Sequence, residues 1–368
     1  MKNQVIIWTE LFFPNIGGVE VFAKQLINSL RKRTYDFVVI TSASELVGSG
    51  VDFQDGIKIF RFPFHRLIME QDLKTIYLVS EHIVSIFNEI NPMLLHLNSI
   101  QPSIFFYYLI KNKISIPSIL TLHSPIHSQT HNSLAGRIIK SADWVVGNSK
   151  HTLDKARTLI PQITTHSSLI YNGLKMPSFP FKPLSFSPPT LLCIGRIVKE
   201  KGFDLVIEVL CKILEIFPET RLVIAGDGLA KNDLQEQVME LGLGGKIRFK
   251  GWVRPEEIPL LIDEATLVII PSRWEEPFGL VALQAAQRRR PVIASRTGGL
   301  KEIIIHNVTG LHFEVENKQE LAQHILFLLG HPQVAITMGK NAHRRAKKIF
   351  NLKMMIDGYD SLYQKLLK

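Results

Sequence analysis

Short, fully apolar runs alternate along the chain with longer stretches in which apolar residues recur at helical spacing. Runs such as residues 5–8 and 267–270 are typical of strands that a parallel sheet buries on both faces. The stretches between them predict amphipathic helices, for example at residues 19–30 and 203–214. Strands are predicted at residues 5–8, 37–41, 57–60, 93–97, 118–122, 144–147 and 168–171 in the first half, and at residues 191–194, 221–225, 246–249, 267–270, 291–294 and 311–313 in the second half.

A proline-rich segment separates these two halves. Residues 176–190 contain five prolines and three serines, and proline at this density cannot continue a helix or a central strand. We therefore predict an N-terminal domain at residues 1–176, a linker at 177–190, a C-terminal domain at 191–350 and a final helix at 351–368. Each domain is expected to be α/β and Rossmann-like, a parallel sheet covered by helices, with the two sheets facing a central cleft. Ligands of such sheets bind at the carboxyl ends of the strands.

Composition narrows the class of protein. Hydrophobic residues make up 46% and charged residues 21% of the 368 residues, which excludes a disordered or fibrous chain. Two cysteines exclude a disulfide scaffold. No apolar run reaches the roughly 18 residues of a membrane span, and residues 1–10 read as a strand instead of a secretory signal. A cytoplasmic protein is therefore expected.

The charge balance is basic, with a formal net charge of +10 that is spread evenly over the two halves. An even distribution argues against a basic nucleic-acid-binding tail, so no nucleic-acid partner is expected. The charge fits an anionic ligand, an anionic membrane surface or simple solubility.

A basic turn follows the predicted strand at 191–194 and precedes the predicted helix at 203–214. It has the sequence G-R-I-V-K-E-K-G at residues 195–202. The N-terminus of a helix offers free N–H groups and a positive dipole end to a phosphate, and Arg196 and Lys201 could neutralise a diphosphate. A solvated basic turn without a ligand is the alternative.

Two further glycine turns follow predicted strands. A-G-D-G at residues 225–228 would let a ligand approach the backbone at Gly226. Gly17 and Gly18 precede the first helix and form a second candidate anion site. Ordinary βα turns are the alternative for both.

The segment P-S-R-W-E-E-P-F-G-L-V-A-L-Q-A at residues 271–285 carries the strongest signal. A strand ends at Ile270, and a helix is predicted to start near Phe278. Glu276 would then lie just before the helix, where an N-cap is the alternative role, and Pro277 at the first helical position supports that geometry. A cap alone does not explain why residues 278–280 would present backbone N–H groups to the cleft. Gln284, eight residues after Glu276, is expected on the same helix face.

His123 follows the predicted strand at 118–122 and is placed to face the cleft. His123, His127 and His131 are spaced by four residues. On a regular helix this spacing would bring the three side chains to one face, where they could bind a metal ion. Because Pro125 argues against a regular helix there, we expect no metal.

In these motifs the chain resembles a family 4 glycosyltransferase of the two-domain GT-B type. The resemblance runs over nearly the full length and is most specific in the C-terminal half. There the chain reads G-R-x-x-x-x-K-G, A-G-D-G, P-S-x-x-E-x-P-F-G-L, T-G-G-L-x-E at residues 297–302 and N-x-T-G at residues 307–310, in this order.

The resemblance implies a retaining transferase that uses a nucleotide-sugar donor, with no metal or other cofactor. Arg196 and Lys201 would bind the donor diphosphate, and Glu276 would contact hydroxyls of the donor sugar. His123 would lie beside the transferred sugar on the acceptor side, and the C-terminal helix would cross back to the N-terminal domain. The remaining donor contacts implied are Gly18, Gly226, Val253, Phe278, Gly279, Leu280 and Gln284.

Three positions depart from the family pattern. Gln284 stands where a second acidic residue normally holds the ribose hydroxyls, so weaker nucleotide binding is expected. Arg289 replaces the usual glycine two residues before Pro291, where it either strains the helix end or caps it through the last carbonyls. Gln287 is also atypical. A non-catalytic nucleotide-sugar or glycan-binding protein therefore stays open as an alternative. A nucleotide-sugar epimerase on the same architecture is a further alternative.

The N-terminal domain, which is expected to bind the acceptor, has fewer recognisable motifs. Residues 60–77 and 100–113 mix basic and aromatic side chains, which suits the edge of an anionic bilayer, although core-packed helices with solvated ends are the alternative. Relatives that glycosylate lipid-linked or envelope glycans make a glycan or lipid-linked acceptor the expectation. We therefore expect weak peripheral association with an anionic membrane at its cytoplasmic face.

Overall fold

The chain contains two mostly parallel sheets, as seen in a computed structural model whose described residues are 2–127, 130 and 132–368. Residues up to Asn172 form one unit together with Lys353–Lys368, and Gly173–Leu352 form the other. The proline-rich segment lies in this second unit, where Arg288 donates to the carbonyls of Phe179 (3.1 Å) and Pro180 (2.8 Å).

The described part of the first unit contains an eight-stranded sheet in the order β3-β4-β2-β1-β5-β6-β7-β8. All neighbours are parallel except β3 and β4, which are antiparallel. The order reverses between β1 and β5. The strands are β1 (Asn3–Thr9), β2 (Tyr35–Ser42), β3 (Gly50–Gln54), β4 (Ile57–Phe62), β5 (Leu94–Leu97), β6 (Ser118–Leu122), β7 (Trp144–Gly147) and β8 (Ser167–Leu169), and the helices are α1 (Gly18–Leu30), α2 (Phe64–Glu70), α3 (Leu73–Ile90), α4 (Ile104–Ile110), α5 (Leu134–Ser141) and α6 (Lys150–Leu159).

The second unit contains a six-stranded, fully parallel sheet in the order β11-β10-β9-β12-β13-β14. Its order reverses between β9 and β12, and such a switch point opens a crevice at the carboxyl ends of the strands. The strands are β9 (Thr190–Ile194), β10 (Arg221–Ala225), β11 (Ile247–Gly251), β12 (Leu267–Ile270), β13 (Val292–Ser295) and β14 (Gly310–Phe313), and the helices are α7 (Phe203–Ile216), α8 (Lys231–Glu240), α9 (Ile258–Glu264), α10 (Leu280–Gln287), α11 (Leu300–Ile303), α12 (Lys318–Gly330) and α13 (Pro332–Ile349).

The last helix, α14 (Leu352–Leu366), packs within the first unit. The hydroxyl of its Tyr363 lies 2.6 Å from Nδ1 of His96, which is fully buried in β5. The hydroxyl of Tyr359 lies 3.0 Å from Oγ1 of Thr121 in β6. Arg33 donates to two carboxylates of the same helix, those of Asp357 and Asp360. Buried hydrogen bonds and surface ion pairs therefore hold this helix to the sheet.

The predicted α/β architecture is confirmed, and each predicted strand corresponds to an observed one. β3 was missed. Its residues are mostly exposed, and it includes Gly50 and Asp52, so it lacks the continuous apolar run by which the buried strands were recognised. Among the described residues, no helix combines the length and apolarity needed to cross a membrane.

Candidate active site

The basic turn lies at the switch point of the second sheet. β9 ends at Ile194, residues Lys199–Lys201 form a short 3-10 turn, and α7 begins at Phe203. Arg196 is exposed at the start of the turn. The turn therefore places two cations at the carboxyl edge of β9, as the sequence predicted.

Lys201 and Glu276 form the central ion pair of this edge. Lys201 Nζ lies 2.5 Å from Glu276 Oε1, and Ser272 Oγ donates to the same oxygen at 2.8 Å. The ammonium also lies 5.3 Å from the centre of the Trp274 ring, within cation–π range. Glu276 is only 7% exposed. The loops after β9 and β12 therefore meet through a nearly buried, charge-assisted hydrogen bond.

Backbone contacts fix Glu276 from the other side. Gly299 N donates to the carbonyl of Glu276 at 2.7 Å, and Thr297 Oγ1 donates to the carbonyl of Trp274 at 3.4 Å. The T-G-G-L-x-E motif therefore supports the acidic loop by packing against its backbone.

The predicted start of α10 was wrong. The helix begins at Leu280, and its N-cap is Gly279 with φ = 101°, a left-handed conformation that favours glycine. A Cβ there would lie 2.7 Å from Leu300 Cδ2. Pro277 therefore precedes the helix, and Glu276 is not its N-cap. The prediction that Gln284 and Glu276 share a helix face was also wrong, because Glu276 lies outside the helix.

The other predicted donor residues of this unit follow the carboxyl ends of β10, β11 and β12, except Gln284, which lies within α10. Phe278 is buried, with its ring 5.8 Å from that of Phe350, and Leu280 is half-buried. Val253 is buried two residues after β11. At Gly226, a Cβ would lie 1.8 Å from Gly195 O. The chain itself, and not a ligand, therefore requires glycine at this position.

In the first unit, Gly18 is the exposed first residue of α1, and His123 directly follows β6. His123 Nε2 lies 2.9 Å from Asn98 Oδ1, and the Phe22 ring contacts the imidazole edge-on at 4.6 Å. Burial lowers the pKa of His123 to about 3. The imidazole is therefore neutral, and since an amide oxygen only accepts, Nε2 carries the proton and Nδ1 is the acceptor.

Of the three histidines whose spacing suggested a metal site, His123, His127 and His131, the last lies outside the described residues. Within the described ranges, no group of three histidine, cysteine or acidic side chains is arranged to hold a metal ion.

Two family models match the two halves of the chain. The model described as "Glycosyltransferase Family 4" matches residues 16–176, and the model described as "Glycosyl transferases group 1" matches residues 178–345. The chain belongs to the GT-B glycosyltransferases. The resemblance and the fold predicted from the sequence are thereby confirmed.

Individual relatives of this glycosyltransferase are distant. It is 26% identical over 369 residues to an uncharacterised glycosyltransferase of Methanocaldococcus jannaschii, covering 98% of both chains. Sucrose-phosphate synthase from Thermosynechococcus elongatus shares the fold with a TM-score of 0.84 at 21% identity, covering 99% of both chains. HepE of Anabaena, in complex with UDP-glucose, aligns with a TM-score of 0.79 at 20% identity, covering 99% of this chain and 100% of HepE.

Arg289, one of the departures of this glycosyltransferase from its family pattern, adopts φ = 58° two residues after the end of α10. Its guanidinium lies 3.8 Å from the centre of the Phe181 ring, and only its backbone N–H bonds the helix end, at Ala286 O (3.1 Å). The helix end is therefore strained, and the side chain stacks instead of capping.

Sequence reasoning missed two functional candidates of the glycosyltransferase. Ser272 lies in the P-S-x-x-E motif, but the motif predicts no role for it, although its hydroxyl donates to Glu276. Arg273 was not singled out at all. Its carboxylate partners, Asp204 and Glu316, are 69 and 43 residues away in sequence, so no local pattern signals them.

Proposed function

We propose that this glycosyltransferase takes its sugar from a nucleotide-sugar donor, a UDP- or GDP-sugar, and transfers it with retention of anomeric configuration and without a bound metal. The observation that carries the proposal is the Lys201–Glu276 pair, with Nζ and Oε1 2.5 Å apart, at the switch point between β9 and β12. Such a position is where nucleotides bind open parallel sheets. The complex of the similar protein HepE with UDP-glucose supports the same donor class.

Lys201 and Arg196 would neutralise the donor diphosphate as the bond to the sugar breaks, which is the role that a metal ion plays elsewhere. The N-terminus of the 14-residue helix α7 would add its dipole. Glu276 would accept hydrogen bonds from sugar hydroxyls. The further donor contacts in the proposal are Gly18, Gly226, Val253, Phe278, Gly279, Leu280 and Gln284.

The reaction breaks the bond between the anomeric carbon and the phosphate oxygen and forms a bond from that carbon to the acceptor hydroxyl oxygen. We assign the acceptor's attack to the face that the nucleotide leaves, so the departing phosphate can take the hydroxyl proton. His123 is neutral and would accept a hydrogen bond from a sugar hydroxyl at Nδ1.

Nucleotide release from a panel of UDP-, GDP- and ADP-sugars tests the proposal. The wild type should release nucleotide from one donor with or without EDTA, and Glu276→Ala should lose this activity. Glu264→Ala is the matched control, because Glu264 is an exposed acid of the same unit that pairs with Arg248 at 3.8 Å. NMR of the glycoside formed should show the anomeric configuration of the donor. If no donor of the panel released nucleotide and none raised the melting temperature, the proposal would be contradicted. Loss of activity in EDTA would also contradict it.

The acceptor in the proposal is a glycan or lipid-linked hydroxyl reached at an anionic membrane surface. The corner between α2 and α3 exposes apolar side chains, including Met69 (70% exposed) and Leu73 (75%). Arg66 and Lys74 are exposed at the same corner. Apolar side chains with flanking cations suit an anionic bilayer. By contrast, Phe106 and Tyr107 of the second predicted membrane segment are buried in the core, so the core-packing alternative holds for them.

Co-sedimentation with vesicles tests this surface. The protein should bind anionic vesicles at low salt more than neutral ones, and Leu73→Ser should weaken the binding. Leu260→Ser, at a 48%-exposed leucine of the second unit, should have no effect. Absence of binding to anionic vesicles at low salt would contradict the membrane proposal and leave the donor proposal standing.

A further inference from the structure

We propose that Arg273 is a positioning residue that holds the Lys201 turn in register with Glu276. The inference rests on the proposed function, in which these two side chains bind the donor. Arg273 lies in the loop after β12, between Ser272 and Glu276, and makes its contacts with the neighbouring loops.

The first set of contacts fixes the backbone beside Lys201. Arg273 N donates to Glu200 O at 2.8 Å, and Nη1 donates to Lys199 O at 2.8 Å. These carbonyls belong to the two residues that precede Lys201 in its 3-10 turn. A shift of Arg273 would therefore move the base of the Lys201 side chain.

The second set of contacts anchors the guanidinium itself. Nη1 and Nη2 donate to the two oxygens of Asp204, in the first turn of α7, at 2.7 and 2.6 Å. Nε donates to Glu316. These bonds, that to Asp204 foremost, raise the pKa of Arg273. Lysine would keep the charge but could not make this bidentate and three-directional set of bonds.

Glu316, whose carboxylate accepts from Arg273, has a strained backbone. Its φ is 66°, a left-handed conformation that costs a non-glycine residue free energy. Glu316 lies between β14 and α12. One guanidinium thus joins the loops after β9, β12 and β14, all at the carboxyl edge where the donor site is proposed.

The reactivity of Lys201 tests the positioning directly and needs no donor. In competitive acylation followed by peptide mass spectrometry, Lys201 should be labelled several-fold faster in Arg273→Ala than in the wild type, because the amine leaves Glu276. Lys231, paired with Asp227 at 3.1 Å, is the internal reference for global unfolding. Arg296→Ala is the matched control, since Arg296 pairs with Glu314 at 3.5 Å in the same unit. Unchanged Lys201 labelling in Arg273→Ala would overturn the inference.

Donor kinetics add a readout that a merely structural role would not move. Arg273→Ala should lower kcat/KM about 10- to 100-fold, with partial rescue in Arg273→Lys. In a Lys201→Ala background the same substitution should cost less than about twofold, since residues that act together are not additive. If Arg273→Ala lowered kcat/KM by the same factor in the Lys201→Ala background as in the wild type, the inference would be overturned. A wild type that turns over no donor would contradict the proposed function, while the labelling would still decide the role of Arg273.

Discussion

At the scale of single residues, Gln284 stands where the family resemblance implies an acidic contact to the ribose. It is half-buried on α10, whose eight residues end at Gln287. An amide oxygen can accept the ribose hydroxyl hydrogens, but without the charge that strengthens such a bond.

We predict that Gln284→Glu tightens nucleotide binding about three- to tenfold, because a charge-assisted hydrogen bond replaces a neutral one. Calorimetric titration with the nucleotide diphosphate measures this change. Gln323→Glu, at an exposed position of α12, adds the same charge elsewhere in the unit and should leave the affinity unchanged. Equal affinities in the wild type and Gln284→Glu would remove Gln284 from the donor site.

At the scale of elements, helix α10 ends at Gln287, and the strained residue Arg289 follows two residues later. We predict that Arg289→Ala destabilises the protein by about 0.5–1 kcal/mol, because the stacking on Phe181 is lost while the strain stays. Arg289→Gly should be about 1 kcal/mol more stable than the alanine variant, since glycine adopts positive φ freely. Urea unfolding compares the three proteins. Equal unfolding free energies for the alanine and glycine variants would show that the backbone carries no strain.

The elements also show where sequence reasoning works and where it stops. Strands such as β12 (Leu267–Ile270) were predicted at their observed bounds because they are buried on both faces and hence continuously apolar. The start of α10 was misplaced because Pro277 is a favoured first helical residue, whereas the left-handed Gly279 decides the boundary. The Lys201–Glu276 pair was predictable only as two separate motifs, since the order of the strands brings their loops together. The Arg273 contacts had no local signal.

At the scale of the whole molecule, stability is expected to depend on pH through two buried histidines of the first unit. Burial lowers the pKa of His96 and of His123 to about 3, from an ordinary value of 6.5. Below pH 6.5 the unfolded chain takes up protons that the folded unit does not. The free energy of unfolding therefore decreases as the pH falls from 6.5 towards 3. At pH 5 the decrease is about 2 kcal/mol per histidine.

We predict that this loss between pH 7.5 and 5 is smaller by about 2 kcal/mol in His96→Gln than in the wild type, because one titrating group is gone. Urea unfolding at the two pH values gives the difference, and comparing slopes removes any constant destabilisation by the variant. His65→Gln, at an exposed position of α2, is the control. The same pH dependence in His96→Gln and the wild type would show that His96 is not held neutral.

In the proposed function, the whole molecule transfers a sugar from a donor bound at Lys201 and Glu276. The most direct measurement is kcat/KM for nucleotide release from the preferred nucleotide sugar, in the wild type, Lys201→Ala and Lys246→Ala. Lys246 is the matched lysine, because it precedes β11 at the opposite end of the same sheet and donates to Pro218 O at 2.7 Å. We predict a loss of about 100-fold or more in Lys201→Ala and a change within about twofold in Lys246→Ala. Wild-type turnover in a folded Lys201→Ala variant would contradict the account.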